Sequence, residues 1–463
     1  MLEGQGFPAC AHHLVGVAAA SMQLAVAPGA IVDTAGAPPR VPAQLGRRRC
    51  LRQSLTRPVH PRQIRLGVGP ELQQRQPEQQ QQGLERPRES RPQMIIQQPS
   101  DITVAHLFEA YYDCRRGKRT TRSALAFEVA LERNLMDLLA ELRAGTWWPA
   151  PATVFAILRP KPREVWAAQF RDRIVHHLVY RAINPLFEPS FVADSCACIK
   201  GRGTLYAAGR LERHLRSATE GWSKPAFYLK TDIANFFGSI RHDVLFAMLV
   251  RRVKDPTMLE LCHRLVFQDV RRDAIVQDSA GTLARVPPHK SLFQTPAGVG
   301  LPIGNLSSQF FANVYLDPID QMVKRRLGLR YVRYVDDMVM VHQDPKVLLA
   351  AADAIRAHLA EIGLRLAEHK TFVAPVAKGI DFVGHVIRPY RRSARPKTHR
   401  TALARLTTMP REDLPESATS YLGLFRHSGS RAQIAAIARI AVQRRFRVDR
   451  ELTKVVVKRR TSK

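Results

Sequence analysis

The chain has 463 residues, with 71 Lys and Arg against 40 Asp and Glu, a formal net charge of +31 and a pI near 10.7. With 45% hydrophobic residues it can build a large core, which excludes a chain that is disordered throughout. A charge this positive implies a polyanionic partner: nucleic acid first, an anionic membrane surface second. The basic residues are dispersed and form no basic amphipathic anchor, so no membrane partner is expected.

Residues 1–97 carry 12 Arg, no Lys and 6 acidic residues. The apolar stretch from Leu14 to Val32 is broken by Ser21, Gln23 and Pro28 and is preceded by no Lys or Arg. It therefore reads as neither a signal peptide nor a membrane span. Pro, Gln and Arg dominate after Pro38, so 1–97 reads as a disordered leader. Met94, just ahead of the first helical pattern, is an alternative start that would leave residues 1–93 untranslated. The six cysteines form no C-x-x-C pair and suit the reduced thiols of a cytosolic protein. Cys196 and Cys198 fit core or loop thiols better than a zinc site.

From Ile102 the pattern turns globular. The spacing of Leu125, Val129, Leu131, Leu135, Leu138, Leu139 and Leu142 predicts one helix closed by Gly145. Strand-like runs follow at Thr153 to Leu158 and Phe227 to Thr231, with a helix from Arg171 to Phe187 between them. Residues 251–298 read as irregular. Strands return at Tyr331 to Val341, then a helix from Lys346 to Ile362, then short strands to Ile387. The last 70 residues read as helical, and 390–463 hold 19 Lys and Arg against 5 acidic residues. The class is α+β.

Two stretches carry chemistry. In Tyr331-Val-Arg-Tyr334-Val335-Asp336-Asp337-Met338, two adjacent carboxylates sit in an apolar, β-branched run. Burying both costs several kcal/mol without compensating cations or donors. A hairpin with both at its turn would push them to a sheet edge, where hard oxygens suit a divalent metal; a plain Asp-Asp turn is the alternative. In Phe227-Tyr-Leu-Lys-Thr-Asp232-Ile233-Ala-Asn-Phe236-Phe237, a strand ends in one carboxylate. That Asp is either a strand cap or the third ligand of a two-metal site, whose ions lie about 4 Å apart.

Together these stretches resemble reverse transcriptases. Tyr334-Val335-Asp336-Asp337 resembles their Y-x-D-D box, and Asp232 with Phe237 resembles their first catalytic block. The resemblance covers roughly residues 100–430, with the blocks in the family's order. It implies a right-hand polymerase: fingers with the start of the palm over 98–225, a palm of antiparallel sheet and helices over 226–389 with an insert at 251–298, and a short basic helical thumb and tail over 390–463. It implies RNA-directed DNA synthesis with two Mg²⁺ at Asp232, Ile233, Asp336 and Asp337, the three aspartates being catalytic. Phe237 would act as the gate against a ribose 2′-hydroxyl. Template RNA, the RNA–DNA duplex and dNTPs would be the ligands.

The block Gly300-Leu301-Pro302-Ile303-Gly304-Asn305-Leu306-Ser307-Ser308-Gln309 resembles that of diversity-generating retroelements. There a branched apolar residue in place of Gln is associated with low fidelity opposite template adenines. The implied setting is a bacterial or phage-encoded cytoplasmic enzyme with a small basic accessory protein. Retron and group II intron-like enzymes are the catalytic alternatives, and a non-catalytic nucleic-acid-binding protein is the alternative of another class. No maturase-specific, endonuclease or RNase H segment is recognisable after the thumb. The same resemblance gives Lys161 and Arg163 to the incoming triphosphate, and Ile303, Gly304 and Gln309 to the nascent pair. Lys370 would sit by the nucleotide. Arg171, Lys200 and Arg202 would contact the template, and Gly384 and His385 would form a primer grip. Gly304 is expected to let backbone approach the nucleotide or template. Ser420-Tyr421-Leu422-Gly423 resembles the start of the thumb. His176 and His177 read as packed helix residues.

Overall fold

The computed structural model describes residues 102–456 except Pro160 and Gly429. The expected leader at 1–97 and the Met94 start lie outside the described residues. Three helices open the fold: α1 (Val104–Arg115), α2 (Arg122–Glu128) and α3 (Leu131–Arg143). The single helix predicted from Leu125 to Gly145 is thus two. The backbone leaves helical geometry at Ala130 (φ −131°, ψ 51°), and Val129 stands 88% exposed. Apolar spacing misleads here because Leu125 and Val129 face solvent, whereas Leu135, Leu138, Leu139 and Leu142 are buried.

β1 (Thr153–Ile157) and β2 (Arg163–Ala167) form an antiparallel hairpin. Then come α4 (Phe170–Phe187), α5 (Thr204–Ala218), β3 (Phe227–Asp232), α6 (Phe236–Ser239, one turn), α7 (His242–Val250) and α8 (Pro256–Phe267). α8 corrects the reading of 251–298 as irregular. Asp255 caps it by accepting from the Met258 N–H at 2.7 Å, Pro256 opens it, and Met258, Leu261, Cys262, Leu265 and Val266 form its buried face. The rest of the segment is short pieces, among them β4 (Ile275–Val276), which runs parallel to β1.

α9 (Leu306–Gln321), β5 (Arg330–Tyr334), β6 (Asp337–His342), α10 (Pro345–Glu361), β7 (Phe372–Pro375), β8 (Ile380–Phe382), β9 (His385–Arg388) and β10 (Arg391–Ala394) follow. The chain continues through three helices, α11 (Pro396–Thr408), α12 (Leu414–Arg426) and α13 (Arg431–Gln443). The helical region thus begins at Pro396, and Ser420-Tyr421-Leu422-Gly423 sits inside its second helix rather than at its start.

The central sheet has the order β5-β6-β3-β7, with every neighbour antiparallel. Period-two alternation divides its faces. Leu229, Tyr331, Met338 and Met340 join the core with α4 and α7 to α10. Tyr228, Val332, Val339 and Val341 pack with Ala207, Leu211 and Leu215 of α5 and with Ile380, Phe382 and Ile387 of the second sheet. α11 to α13 bury Ala402, Leu406, Leu422, Phe425, Ile437 and Ala441 in a core of their own. The α+β arrangement agrees with the expected class. Among the described residues no helix is long and apolar enough to cross a membrane.

Candidate active site

β5 and β6 are joined by two residues, Val335 and Asp336, with Tyr334 paired to Asp337. Val335 takes φ +59°, a left-handed conformation that a β-branched residue adopts only under strain. On the other side of β6, Asp337 pairs directly with Asp232. Directly opposed residues have Cβ atoms about 5 Å apart. The carboxylates therefore lie at the ends of the two inner strands, not along a sheet edge. The loop after α10 locks the same point: the Ala367 N–H donates to the Asp232 carbonyl at 2.8 Å, and Ile233 bridges to Leu366. The Ile233 N–H donates to the Asp336 carbonyl at 3.3 Å, tying β3 to the hairpin turn.

Arg333 holds that turn from beneath. It is 1% exposed and uses all five of its N–H donors. Two go to Asp320 at 2.8 and 2.6 Å, one to the Ser195 hydroxyl at 2.8 Å, one to the Asn313 amide oxygen at 3.2 Å and one to the Val335 carbonyl at 2.9 Å. Asp320, itself fully buried, also accepts from the Tyr331 hydroxyl at 2.7 Å. A buried ion pair thus ends on the carbonyl of the strained residue.

The carboxylates repel one another in a half-buried setting. Burial first, then the charges of Asp232 and Asp337, push the Asp336 carboxyl up to about 6. Burial also raises Asp337, and Lys230 partly offsets the rise. Lys230 donates to Asp337 at 3.2 Å, and Lys370 donates to Asp232 at 2.8 Å. The other oxygen of Asp337 is buried without a hydrogen-bond partner. Among the described residues no three His, Cys, Asp or Glu side chains stand in metal-holding geometry. Two ammonium groups each take one carboxylate oxygen, on Asp337 and Asp232. The donor set, hard oxygens with one orphaned, nevertheless fits a divalent cation.

Several other expected residues are tied to one another through the Gly300–Gly304 block. The carbonyl of Phe237 accepts from the Leu301 N–H at 2.8 Å, which brings the aromatic next to the Gly300–Gly304 block. Ile303 is half-buried and anchored by its carbonyl, which accepts from the Trp166 N–H of β2 at 2.7 Å. A Cβ on Gly304 would lie 2.8 Å from the Trp166 carbonyl oxygen, at φ +137°. The freedom of this glycine thus serves close approach to β2. Asn305, buried at the start of α9, accepts from the Ala168 N–H at 3.1 Å. Gln309 lies half-buried on the first turns of α9.

The remaining expected residues lie further out. Lys161 and Arg163 are exposed at the loop end of the β1–β2 hairpin, in a sheet separate from that of the carboxylates. Arg171 is engaged by Glu141 of α3, and Arg202 donates to the carbonyls of Val192 and Ser195 at 2.7 and 2.8 Å. Both guanidiniums serve the scaffold; Lys200 alone of the three is exposed. Val383 and Gly384 (φ +44° and +89°) make the two-residue β8–β9 turn. His385 behind it is buried, and desolvation, with Arg392 next, brings its pKa down to about 4. His176 packs in the core with its Nδ1 2.5 Å from the Ser307 hydroxyl, as expected. Sequence reading missed Lys230, Arg333 and Asp320. For Lys230 and Arg333 the signal was a cation placed inside a strand, in β3 and in β5; Asp320, in α9, carried none.

Residues 160–387 match the family model described as reverse transcriptase (RNA-dependent DNA polymerase). The chain carries the domain of an RNA-directed DNA polymerase. It is similar to protein YkfC of Escherichia coli, 23% identical over 346 residues, covering 66% of this chain and 82% of that protein. It is also similar to the group II intron-encoded protein LtrA of Lactococcus lactis, 23% identical over 195 residues; the match covers 42% of this chain and 28% of LtrA. Among solved structures, telomerase from Candida albicans in complex with a fragment of telomeric RNA matches with a TM-score of 0.42 at 13% identity, over 64% of this chain and 54% of that one.

Proposed function

We propose that this protein extends a DNA primer on an RNA template, with Asp232, Asp336 and Asp337 holding two Mg²⁺ close to Ile233. The observation that carries this reading is the direct pairing of Asp232 with Asp337 beside the strained Val335-Asp336 turn. When bound, such ions activate a primer 3′-hydroxyl and offset charge on the departing pyrophosphate. The chain's own part is positional. Lys230 and Lys370 balance the carboxylates before a cation arrives. Phe237, fixed by its backbone to Leu301, closes the sugar side against a 2′-hydroxyl. The basic helices α11 to α13 grip the RNA–DNA duplex through its phosphates.

Ile303 before Gly304, with Ser308-Gln309 after it, supports the diversity-generating subtype: error-prone copying of template adenines, with a small basic accessory protein, in a bacterial cytoplasm. The half-buried side chain of Ile303 offers no amide to brace a base pair or its sugar, so a mispair is penalised less. Primer extension on an RNA template, with accessory protein supplied, tests both levels. Asp336→Asn should lose about a thousandfold or more in rate, since removing a metal-holding charge forfeits several kcal/mol; wild-type rates would refute the metal role. Ile303→Gln should lower misincorporation opposite adenine, and an unchanged error spectrum would refute the subtype.

A further inference from the structure

On the outer side of α5 lies a cleft of about 340 Å³ lined by Gly209, Glu212, Arg213, Arg216, Trp222 and Tyr390. Trp222 follows α5, and Tyr390 forms the β9–β10 turn. Their ring centroids are 5.9 Å apart at an interplanar angle of 52°. Both residues take left-handed backbone, at φ +78° and +59°. Burial does not explain Tyr390, which is 81% exposed. The Pro389-Tyr390 turn accounts for the backbone of Tyr390, and leaves its ring exposed without a packing role in the core.

Charge points to the ligand's class. Glu212 is answered by Arg392 at 3.7 Å, whereas Arg213 and Arg216 are exposed and carry no ion pair among the described residues. Two aromatic faces beside free guanidiniums are the elements of a single-strand site: bases stack on the rings and the phosphates meet the cations. Trp222 lies beyond the Phe227 end of β3, so the cleft is on the order of 17 Å or more from Asp232 by strand rise.

We infer that this cleft binds an unpaired stretch of RNA outside the catalytic centre and so anchors the template while its copied part occupies the active site. The inference takes the identity of that strand from the proposed RNA-directed synthesis; the site itself stands on the rings and arginines. The test uses the full chain saturated with a blunt 20-base-pair RNA–DNA duplex, to which labelled oligo(A) RNA of 12 nucleotides is added and followed by anisotropy. The wild-type protein should bind the second RNA. Tyr390→Ala should weaken that binding at least about fivefold, and Tyr390→Phe should retain it. Replacing Arg213 and Arg216 by Gln should reduce the log–log salt slope by about 1.4, at roughly 0.7 per phosphate. Extension of a short preformed duplex should be unchanged in Tyr390→Ala. A wild-type complex that takes no second RNA, or equal affinity in wild type and Tyr390→Ala, overturns the proposal. If no variant extends primers while Tyr390→Ala still loses the oligonucleotide, the polymerase reading fails and the site stands.

Discussion

Replacing Arg333 by Met separates two roles that its five hydrogen bonds combine. The substitution removes the partner of Asp320, which is fully buried and then keeps only the Tyr331 hydroxyl. Stranding a buried charge costs about 3–5 kcal/mol, so Arg333→Met should unfold at clearly lower denaturant. A triple variant, Arg333→Met with Asp320→Leu and Tyr331→Phe, removes the stranded charge and the orphaned hydroxyl together. Buried ion pairs replaced by apolar groups of similar volume are commonly neutral or stabilising, so the triple variant should return to within about 1–2 kcal/mol of wild type. Its activity should not return. The Val335 carbonyl still lacks the donor that holds its left-handed turn, a conformation costing about 1–3 kcal/mol that relaxes once unsupported. Asp336 then leaves its place opposite the β3 end, and single-turnover extension should fall about 5- to 150-fold, the same range of energy read as a rate. Chemical denaturation and single-turnover extension on saturating duplex measure the two effects separately. A triple variant that recovers both stability and rate refutes the positioning role. One that recovers neither refutes the account of the buried charge.

Two further outcomes follow from the geometry. Gly304→Ala should destabilise by about 1–3 kcal/mol, since its Cβ would meet the Trp166 carbonyl oxygen at 2.8 Å. Gly423→Ala, in α12 with nothing within 4 Å, should instead stabilise by up to about 1 kcal/mol; equal melting shifts would contradict both. Acid should weaken the fold through His385. Its pKa is about 4 folded against about 6.5 unfolded, so the unfolded chain binds the extra proton between those values. Stability is therefore full above pH 6.5, falls as pH drops through that window, and at pH 5 is lower by about 2 kcal/mol. Denaturant midpoints at pH 7 and pH 5 measure this, and His385→Gln should flatten the dependence by that amount.

The carboxylates were legible because two periods met at them: strand alternation in Phe227 to Asp232 and in Tyr331 to Val341, each broken by an acid where solvent begins. Register could not be read. No local pattern says that Asp232 faces Asp337 rather than Met338, since pairing across more than a hundred residues is set by the whole sheet. The roles of arginines were the least legible. Arg171 and Arg202 looked like phosphate contacts, yet Glu141 and the carbonyls of Val192 and Ser195 claim them. A guanidinium suits backbone oxygen and phosphate alike, and only the fold decides between them. α8 was not legible although Asp255-Pro256 is a helix start, because its helical run is short within a segment otherwise made of turns and short pieces. The false continuity of the helix from Leu125 to Gly145 came from counting exposed Leu125 and Val129 as core.

Position 303 joins the scaffold through its main chain, by the bond from Trp166, while its side chain is half-buried. An exchange of the side chain at 303 therefore leaves the main-chain bond to Trp166 in place. Under the proposed role of Ile303, selection could alter the pairing surface by one codon and keep a protein that still folds. The neighbouring glycine has no such latitude, which leaves an adjustable residue bolted beside an immovable one.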